Sequence, residues 1–129
     1  MSFIKYIDGV YYYDNPVLNF SSGSNTYVVA DSVNTPPIEE DGKYMLDYTM
    51  KVGGSQTNRK HYVRILVNAV KIDEWIKESK DVADRLPFTG VSKPLDFLTG
   101  VQNITIEARV DNPADVFIDS FRFSLKKWQ

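Results

Sequence analysis

Residues 101–128 constrain the fold of this 129-residue chain more than any other stretch. Between positions 104 and 110, apolar side chains alternate with Thr, Glu and Arg, which is the period of a β-strand with one buried face. Asn112-Pro113 is a turn signal, and a second apolar run covers residues 115–125. The two runs predict a β-hairpin that closes a β-sandwich.

The apolar residues of the second run change parity halfway along it. Val116 and Ile118 share one parity, and Phe121, Phe123 and Leu125 share the other. One extra residue in a strand would return both groups to the same face. We therefore predict a β-bulge near Asp119 and Ser120.

Two further alternating runs, at residues 43–52 and 60–68, are separated by a glycine-rich loop and predict a second hairpin. Residues 70–86 fit both a helical spacing and, at 70–77, a strand alternation; in a chain this rich in strands we favour a strand followed by a charged loop. Pro87 and Pro94 bound another short strand near residues 88–92. The predicted core consists of Tyr44, Leu46, Tyr48, Val63, Ile65, Ile104, Ile106, Phe121 and Phe123.

The pattern of eight or nine short strands, separated by Gly, Pro, Asn and Asp clusters, predicts an all-β fold. We expect one domain over residues 1–129, an antiparallel jelly-roll β-sandwich of about eight strands. A net charge of -2 gives no reason to expect nucleic acid as a partner. No apolar run reaches membrane-spanning length and no signal peptide is recognisable, so we expect no membrane partner.

No motif in the sequence indicates catalysis, so we expect that the chain is not an enzyme. It has no glycine-rich phosphate loop and no nucleophile elbow. The chain has no cysteine, which excludes disulfides and thiolate metal sites and favours a reducing compartment or a particle assembled in one. His61 is the only histidine, and residues 39–42 are interpreted as a solvated acidic turn. We expect no cofactor and no metal.

The amino-terminal segment, residues 1–13, is dense in aromatic and β-branched side chains. Tyrosine is enriched at the cores of protein interfaces, and an extended apolar strand can add to the sheet edge of another chain. We therefore interpret this segment as a docking element; the alternative is that it closes the sheet of its own domain. The predicted interface residues are Phe3, Ile4, Tyr6, Ile7, Tyr11, Tyr12 and Tyr13.

Residues 98–106, followed by residues 116–123, resemble the last two strands of small jelly-roll modules. Two groups share that ending. One is the carbohydrate-binding modules of the galactose-binding-like type, and the other is the jelly-roll proteins of phage virions, such as head decoration (cement) proteins and tail appendages. The resemblance covers the last quarter of the chain closely and the part from residue 43 loosely.

The resemblance to virion proteins implies a structural protein that stabilises or attaches to a particle through protein–protein contacts. Its expected partners are other virion proteins, such as the major capsid protein, and further copies of the chain, often as a trimer. Its expected location is the virion, assembled in the host cytoplasm. Met45, Tyr62 and Leu66 lie outside the predicted core and are the expected subunit interface.

The resemblance to carbohydrate-binding modules implies the alternative function, in which Trp75 and Trp128 stack sugars. Calcium-binding modules of this kind usually open with a Glu-x-Glu strand whose carboxylates join an aspartate of the last strand. Asp119 matches that aspartate, but residues 3–8 contain no Glu-x-Glu, so we expect no calcium site.

Overall fold

The computed structural model describes residues 4–78, 85–97 and 99–128, with the backbone alone at positions 91 and 92. These residues form ten strands and no helix. The strands are β1 (Lys5–Ile7), β2 (Val10–Asn15), β3 (Phe20–Ser22), β4 (Val28–Asn34), β5 (Gly42–Gly54), β6 (Lys60–Val67), β7 (Val70–Glu78), β8 (Leu86–Phe97), β9 (Asn103–Val110) and β10 (Val116–Lys127). Within the described part of the chain, no helix is long and apolar enough to cross a membrane.

The strands form two antiparallel sheets that share one core. The six-stranded sheet has the order β1-β2-β10-β5-β8, with β3 paired to the first part of β10. The four-stranded sheet has the order β4-β9-β6-β7. The predicted all-β, antiparallel sandwich of jelly-roll type is therefore confirmed.

The bulge in the last strand is confirmed. The register between β10 and β5 shifts between Ile118 and Ser120. The apolar residues on both sides of the shift are buried, because the extra residue turns the two parities onto the same face. All nine predicted core residues are also confirmed, with exposures of at most 4%.

The prediction that these strands pair as two hairpins is wrong. β9 belongs to the four-stranded sheet and β10 to the six-stranded sheet, so residues 111–115 carry the chain across the sandwich. The loop after β5 does the same, and β6 pairs with β7 and β9 instead. Alternation reports which face of a strand is buried, and both sheets bury a face in the same core. The pattern is therefore the same for strands that pair and for strands that pack face to face.

Residues 70–77 form a strand, as favoured from the sequence. Of the charged loop predicted to follow it through residue 84, Glu78 is the last residue of β7 and residues 79–84 lie outside the described residues. Asn68 and Ala69, with φ of 50° and 68°, form the tight turn between β6 and β7. Pro87 and Pro94 do not bound a short strand, which corrects the prediction, because both lie inside β8. An edge strand tolerates proline, since half of its backbone groups have no partner strand.

The side of the sandwich between β7 and β8 is closed by aromatic packing. The rings of Trp75 and Phe88 stack with centroids 5.4 Å apart and an interplanar angle of 18°. The Tyr48 ring lies over Gly90, where a Cβ atom would overlap it, and the Tyr48 hydroxyl reaches Asp73 on β7. Glycine at position 90 is therefore required by a close approach between a ring and the backbone.

The expected subunit interface is not one surface, which corrects the prediction. Met45 belongs to β5 of the six-stranded sheet, whereas Tyr62 and Leu66 belong to β6 of the four-stranded sheet. All three are partly exposed and point away from the shared core. A single flat interface cannot cover them together.

Candidate functional site

A groove of about 740 Å³ opens at the end of the six-stranded sheet where β10 finishes and β5 begins. Its walls come from the β1–β2 hairpin, the segment before β5, and the end of the chain. We call it the aromatic groove; it is lined by Tyr6, Asp8, Gly9, Tyr11, Pro36, Pro37, Glu39, Glu40, Tyr44, Lys126, Lys127 and Trp128.

One wall of the aromatic groove is a pair of tyrosines on the β1–β2 hairpin. Asp8 and Gly9, with φ of 51° and 83°, form the two-residue turn of this hairpin. This turn places Tyr6 directly opposite Tyr11, and their ring centroids are 4.6 Å apart. Tyr6 is 60% exposed, whereas Tyr11 packs against the core. The hairpin therefore presents the exposed ring of Tyr6, and the adjacent ring of Tyr11 is held by its packing against the core.

Burial raises the pKa of Tyr11, and the neighbouring Tyr44, Tyr6 and Glu39 raise it further. The Tyr11 phenol therefore keeps its proton at neutral pH and is a hydrogen-bond donor in the groove. Glu39, one of the contributors to this shift, lines the same groove as Tyr11.

Trp128 also lines the groove and is 47% exposed. The backbone N–H of Trp128 donates to the carbonyl oxygen of Lys43 over 3.1 Å, so the end of the chain is tied to the start of β5. The Lys43 ammonium lies 5.9 Å from the centroid of the indole ring, within the range of a cation–π interaction. The indole is therefore held on the sheet and is not part of a loose chain end.

A charged pair fixes the segment before β5 at the edge of the groove. Lys127 Nζ donates to Glu40 Oε2 over 2.6 Å, and the Tyr44 hydroxyl donates to the Glu40 carbonyl oxygen over 2.8 Å. The hydrogen bond from Lys127 lowers the pKa of Glu40, and Glu40 in turn raises the pKa of Lys127. Among the described residues, no ion-pair partner lies beside Asp8, Glu39 or Lys126.

The residues of the predicted docking segment are divided among several environments. Phe3 lies outside the described residues, and Ile4 packs against the core. Ile7 is 53% exposed on the free edge of β1, and Tyr12 is exposed on the outer face of β2. Tyr6 and Tyr11 line the groove.

Tyr13 is not a surface residue, which corrects its place in the predicted interface. It is 2% exposed, stacks on Phe123, and donates its hydroxyl to Asp31 over 2.5 Å. Three consecutive tyrosines must alternate between the two faces of a strand, and β2 is an inner strand beside β10. β2 therefore closes the sheet of its own domain, and within the described part of the docking segment β1 is the strand that lies at the sheet edge.

The two tryptophans predicted to stack sugars differ in position. Trp128 lines the groove, whereas Trp75 lies outside it and stacks on Phe88. The Trp75 ring also tilts against His61, which is 1% exposed and whose pKa is lowered to about 4 by burial, with a contribution from Lys77. Trp75 and His61 thus both belong to the packing between the sheets.

Asp119, the residue that matches the aspartate of calcium-binding modules, accepts a hydrogen bond from Arg85 over 2.8 Å. Across residues 4–78, 85–97 and 99–128, no three His, Asp or Glu side chains converge to form a metal-binding cluster.

The sequence interpretation missed the lysine and glutamate residues of the groove. Glu40 and Lys127 are 87 positions apart, and residues 39–42 have the composition of any solvated turn. The available signal was the alternation of β5, which places Tyr44 at the first buried position beside that turn.

Compared by sequence, the chain matches no family model and no curated protein. Compared by structure, it is similar to a carbohydrate-binding module, CBM36, solved with calcium and xylotriose, with a TM-score of 0.51, 15% identity, and coverage of 80% of this chain and 77% of that one. It is also similar to latent PorU from Porphyromonas gingivalis, with a TM-score of 0.60, 10% identity, and coverage of 98% and 13%. The VP2 protein of infectious bursal disease virus gives a TM-score of 0.55, 9% identity, and coverage of 93% and 32%.

The chain thus spans about three quarters of the carbohydrate-binding module but only a small part of the other two proteins. Identities this low establish a shared β-sandwich fold and nothing beyond it.

Proposed function

We propose that this chain is a non-enzymatic binding module that holds a carbohydrate in the aromatic groove. The observation that carries the proposal is the pair of exposed rings, Tyr6 and Trp128, on the walls of one open groove. Exposed aromatic rings are costly to leave in water, and a concave site lined by several of them indicates a ligand.

A sugar ring matches such a groove chemically. Its C–H face is apolar and packs on an aromatic ring, while its hydroxyl groups point outward as donors and acceptors. The carboxylates of Asp8 and Glu39 would accept hydrogen bonds from these hydroxyls, and the Lys126 ammonium and the Tyr11 phenol would donate to them.

The structural comparison supports this class of function. The CBM36 module that the chain resembles was solved with xylotriose, and the similarity extends over most of both chains. A domain of this fold can therefore carry a sugar-binding site.

The test is titration of the protein with a panel of soluble oligosaccharides, followed by calorimetry and by the change in tryptophan fluorescence. We expect Trp128→Ala to weaken binding at least about tenfold, the ratio that corresponds to 1.4 kcal/mol. Trp128→Phe should retain most of the affinity, because it keeps an aromatic face. Tyr62→Ala, on the other sheet, is the control and should bind normally.

Failure of the whole panel to bind would overturn the proposal. Unchanged affinity of Trp128→Ala would overturn the assignment of the aromatic groove.

The second candidate is a structural protein of a virus particle, and the free edge of β1 favours it. Among the described strands, β1 pairs with β2 alone, and Ile7 on this edge is exposed. An unpaired strand edge can pair with the strand of another chain through backbone hydrogen bonds. The partner would be the major capsid protein or another virion protein, the location would be the virion, and a symmetric homo-oligomer would be expected.

Two substitutions separate the candidates. Ile7 does not line the aromatic groove, so Ile7→Lys should disturb docking at the β1 edge and leave sugar binding unchanged. Trp128→Ala should have the opposite effects. Mass spectrometry of particles purified from the host that carries the gene should detect the chain if the second candidate is correct, and its absence from such particles would contradict that candidate.

A further inference from the structure

We infer that the aromatic groove selects uncharged sugars over sugars that carry carboxylates, such as uronic acids. This inference rests on the proposed carbohydrate-binding function and adds the class of sugar. It depends on which charges in the groove are already paired and which remain available to a ligand.

The Lys127 ammonium is already engaged. It lies 2.6 Å from Glu40 Oε2, and Glu40 is fixed in turn because the Tyr44 hydroxyl bonds to its carbonyl oxygen. Glu40 therefore already offsets the charge of Lys127, which weakens the attraction of Lys127 for a ligand carboxylate. The hydrogen bond between the two side chains lowers the pKa of Glu40 and raises the pKa of Lys127, because each residue stabilises the charge of the other.

The charges that remain in the groove are predominantly negative. Asp8 and Glu39 line it without a cationic partner among the described residues, and Lys126 is the corresponding available cation. The Lys43 ammonium is 5.9 Å from the indole centroid of Trp128, and Lys43 does not line the groove.

Glu39 and Asp8 both line the groove together with Tyr6 and Tyr11, the tyrosine wall on which a sugar would stack. A carboxylate on that sugar would meet the exposed Glu39 and Asp8 as like charges, and their repulsion is strongest at low salt, where it is screened least. The hydroxymethyl group of a neutral hexose in the same place would donate a hydrogen bond to a carboxylate. The same two residues therefore favour one class of sugar and disfavour the other.

The test uses matched pairs of oligosaccharides that differ only at C6. Cellotriose, mannotriose and galactotriose are each compared with the form in which the C6 hydroxymethyl groups are oxidised to carboxylates. Calorimetry at low salt should show at least about tenfold tighter binding of the neutral member of any pair that binds. Glu39→Gln should reduce that ratio, because it removes a like charge but keeps a hydrogen-bonding amide.

Glu78→Gln is the matched control. It changes the net charge by the same amount at an exposed position at the end of β7, away from the groove, and should leave the ratio unchanged. Equal or tighter binding of an oxidised member, or an unchanged ratio in Glu39→Gln, would overturn this inference while the proposed function stands. Failure of every member of every pair to bind would overturn the proposed function, and this inference with it.

Discussion

The Tyr48 hydroxyl donates a hydrogen bond to the carboxylate of Asp73 and thereby connects the two sheets of the sandwich. Tyr48 lies in β5, and Asp73 lies in β7 of the opposite sheet. Lys93 Nζ is 3.4 Å from the same carboxylate. Burial of the phenol and the adjacent Asp73 both raise the pKa of Tyr48, so the tyrosine remains the donor. This contact closes the β7–β8 side of the core.

Tyr48→Phe removes the hydroxyl from this contact without changing the volume of the ring. We expect a loss of about 1–3 kcal/mol in the free energy of unfolding, because Asp73 keeps its desolvation cost and loses a donor. Urea denaturation followed by circular dichroism measures it. Tyr62→Phe is the control, since the Tyr62 hydroxyl lies 3.2 Å from Asp111 near the surface and its loss should cost less than about 0.5 kcal/mol.

Gly90→Ala tests the close approach beneath the Tyr48 ring. A Cβ atom at position 90 would overlap that ring, and the ring cannot move away without breaking its bond to Asp73. We expect the variant to be destabilised by about 1–3 kcal/mol, as for other overpacked cores. Combining it with Tyr48→Ala should restore much of the loss caused by the glycine substitution; a purely additive result would contradict the steric explanation.

Ile106→Ala removes a fully buried side chain from the centre of β9. Large-to-small changes in a close-packed core cost about 2–5 kcal/mol, and we expect a value in that range. Val17→Ala, at an exposed position before β3, should change stability by less than about 0.5 kcal/mol. A similar small change for Ile106→Ala would mean that this face of β9 is not in the core.

His61 makes stability depend on pH. Burial lowers its folded-state pKa to about 4 from an ordinary value of 6.5, so the unfolded chain binds a proton at a higher pH than the folded one. The contribution of the neutral His61 imidazole to the free energy of unfolding is therefore complete above about pH 6.5. It is lost as the pH falls towards 4. Because this is the only histidine in the sequence, its imidazole resonances report the folded-state pKa directly by NMR.

His61→Gln separates this contribution from the titration of carboxylates. Between pH 7 and pH 5 the unmodified protein should lose about 1–2 kcal/mol more stability than the variant. Identical pH profiles, or a folded-state pKa near 6.5, would contradict the buried neutral imidazole.

The faces of the strands were predictable from the sequence, but their partners were not. Ile106 and Phe121 were both assigned correctly to the core, because alternation is a local property of a strand. Their assignment to one hairpin was wrong, because pairing depends on residues far apart in the chain: Phe121 pairs with Met50, and Ile106 pairs with Ile65. A short loop can either turn a strand back beside its neighbour or carry it across to the other sheet.

The candidate site was predictable only in part. Tyr6, Tyr11 and Trp128 were singled out as exposed aromatic residues, but in two unrelated hypotheses, one for protein docking and one for sugars. The structure places all three around one groove, because β2 and the end of β10 are neighbours in the same sheet. The spacing of residues within the amino-terminal segment or within β10 does not indicate that these two segments lie side by side.

The position of β10 also determines when this protein can fold. Of the ten described strands, β10 is synthesised last, and it is the inner strand that joins β2, β3 and β5 into one sheet. Until its residues leave the ribosome, those earlier strands have unpaired edges, which are prone to pair with other chains. A nascent chain released before residue 116 lacks the centre of one sheet and cannot complete the sandwich, so quality control by chaperones and proteases acts on it as an unfolded protein.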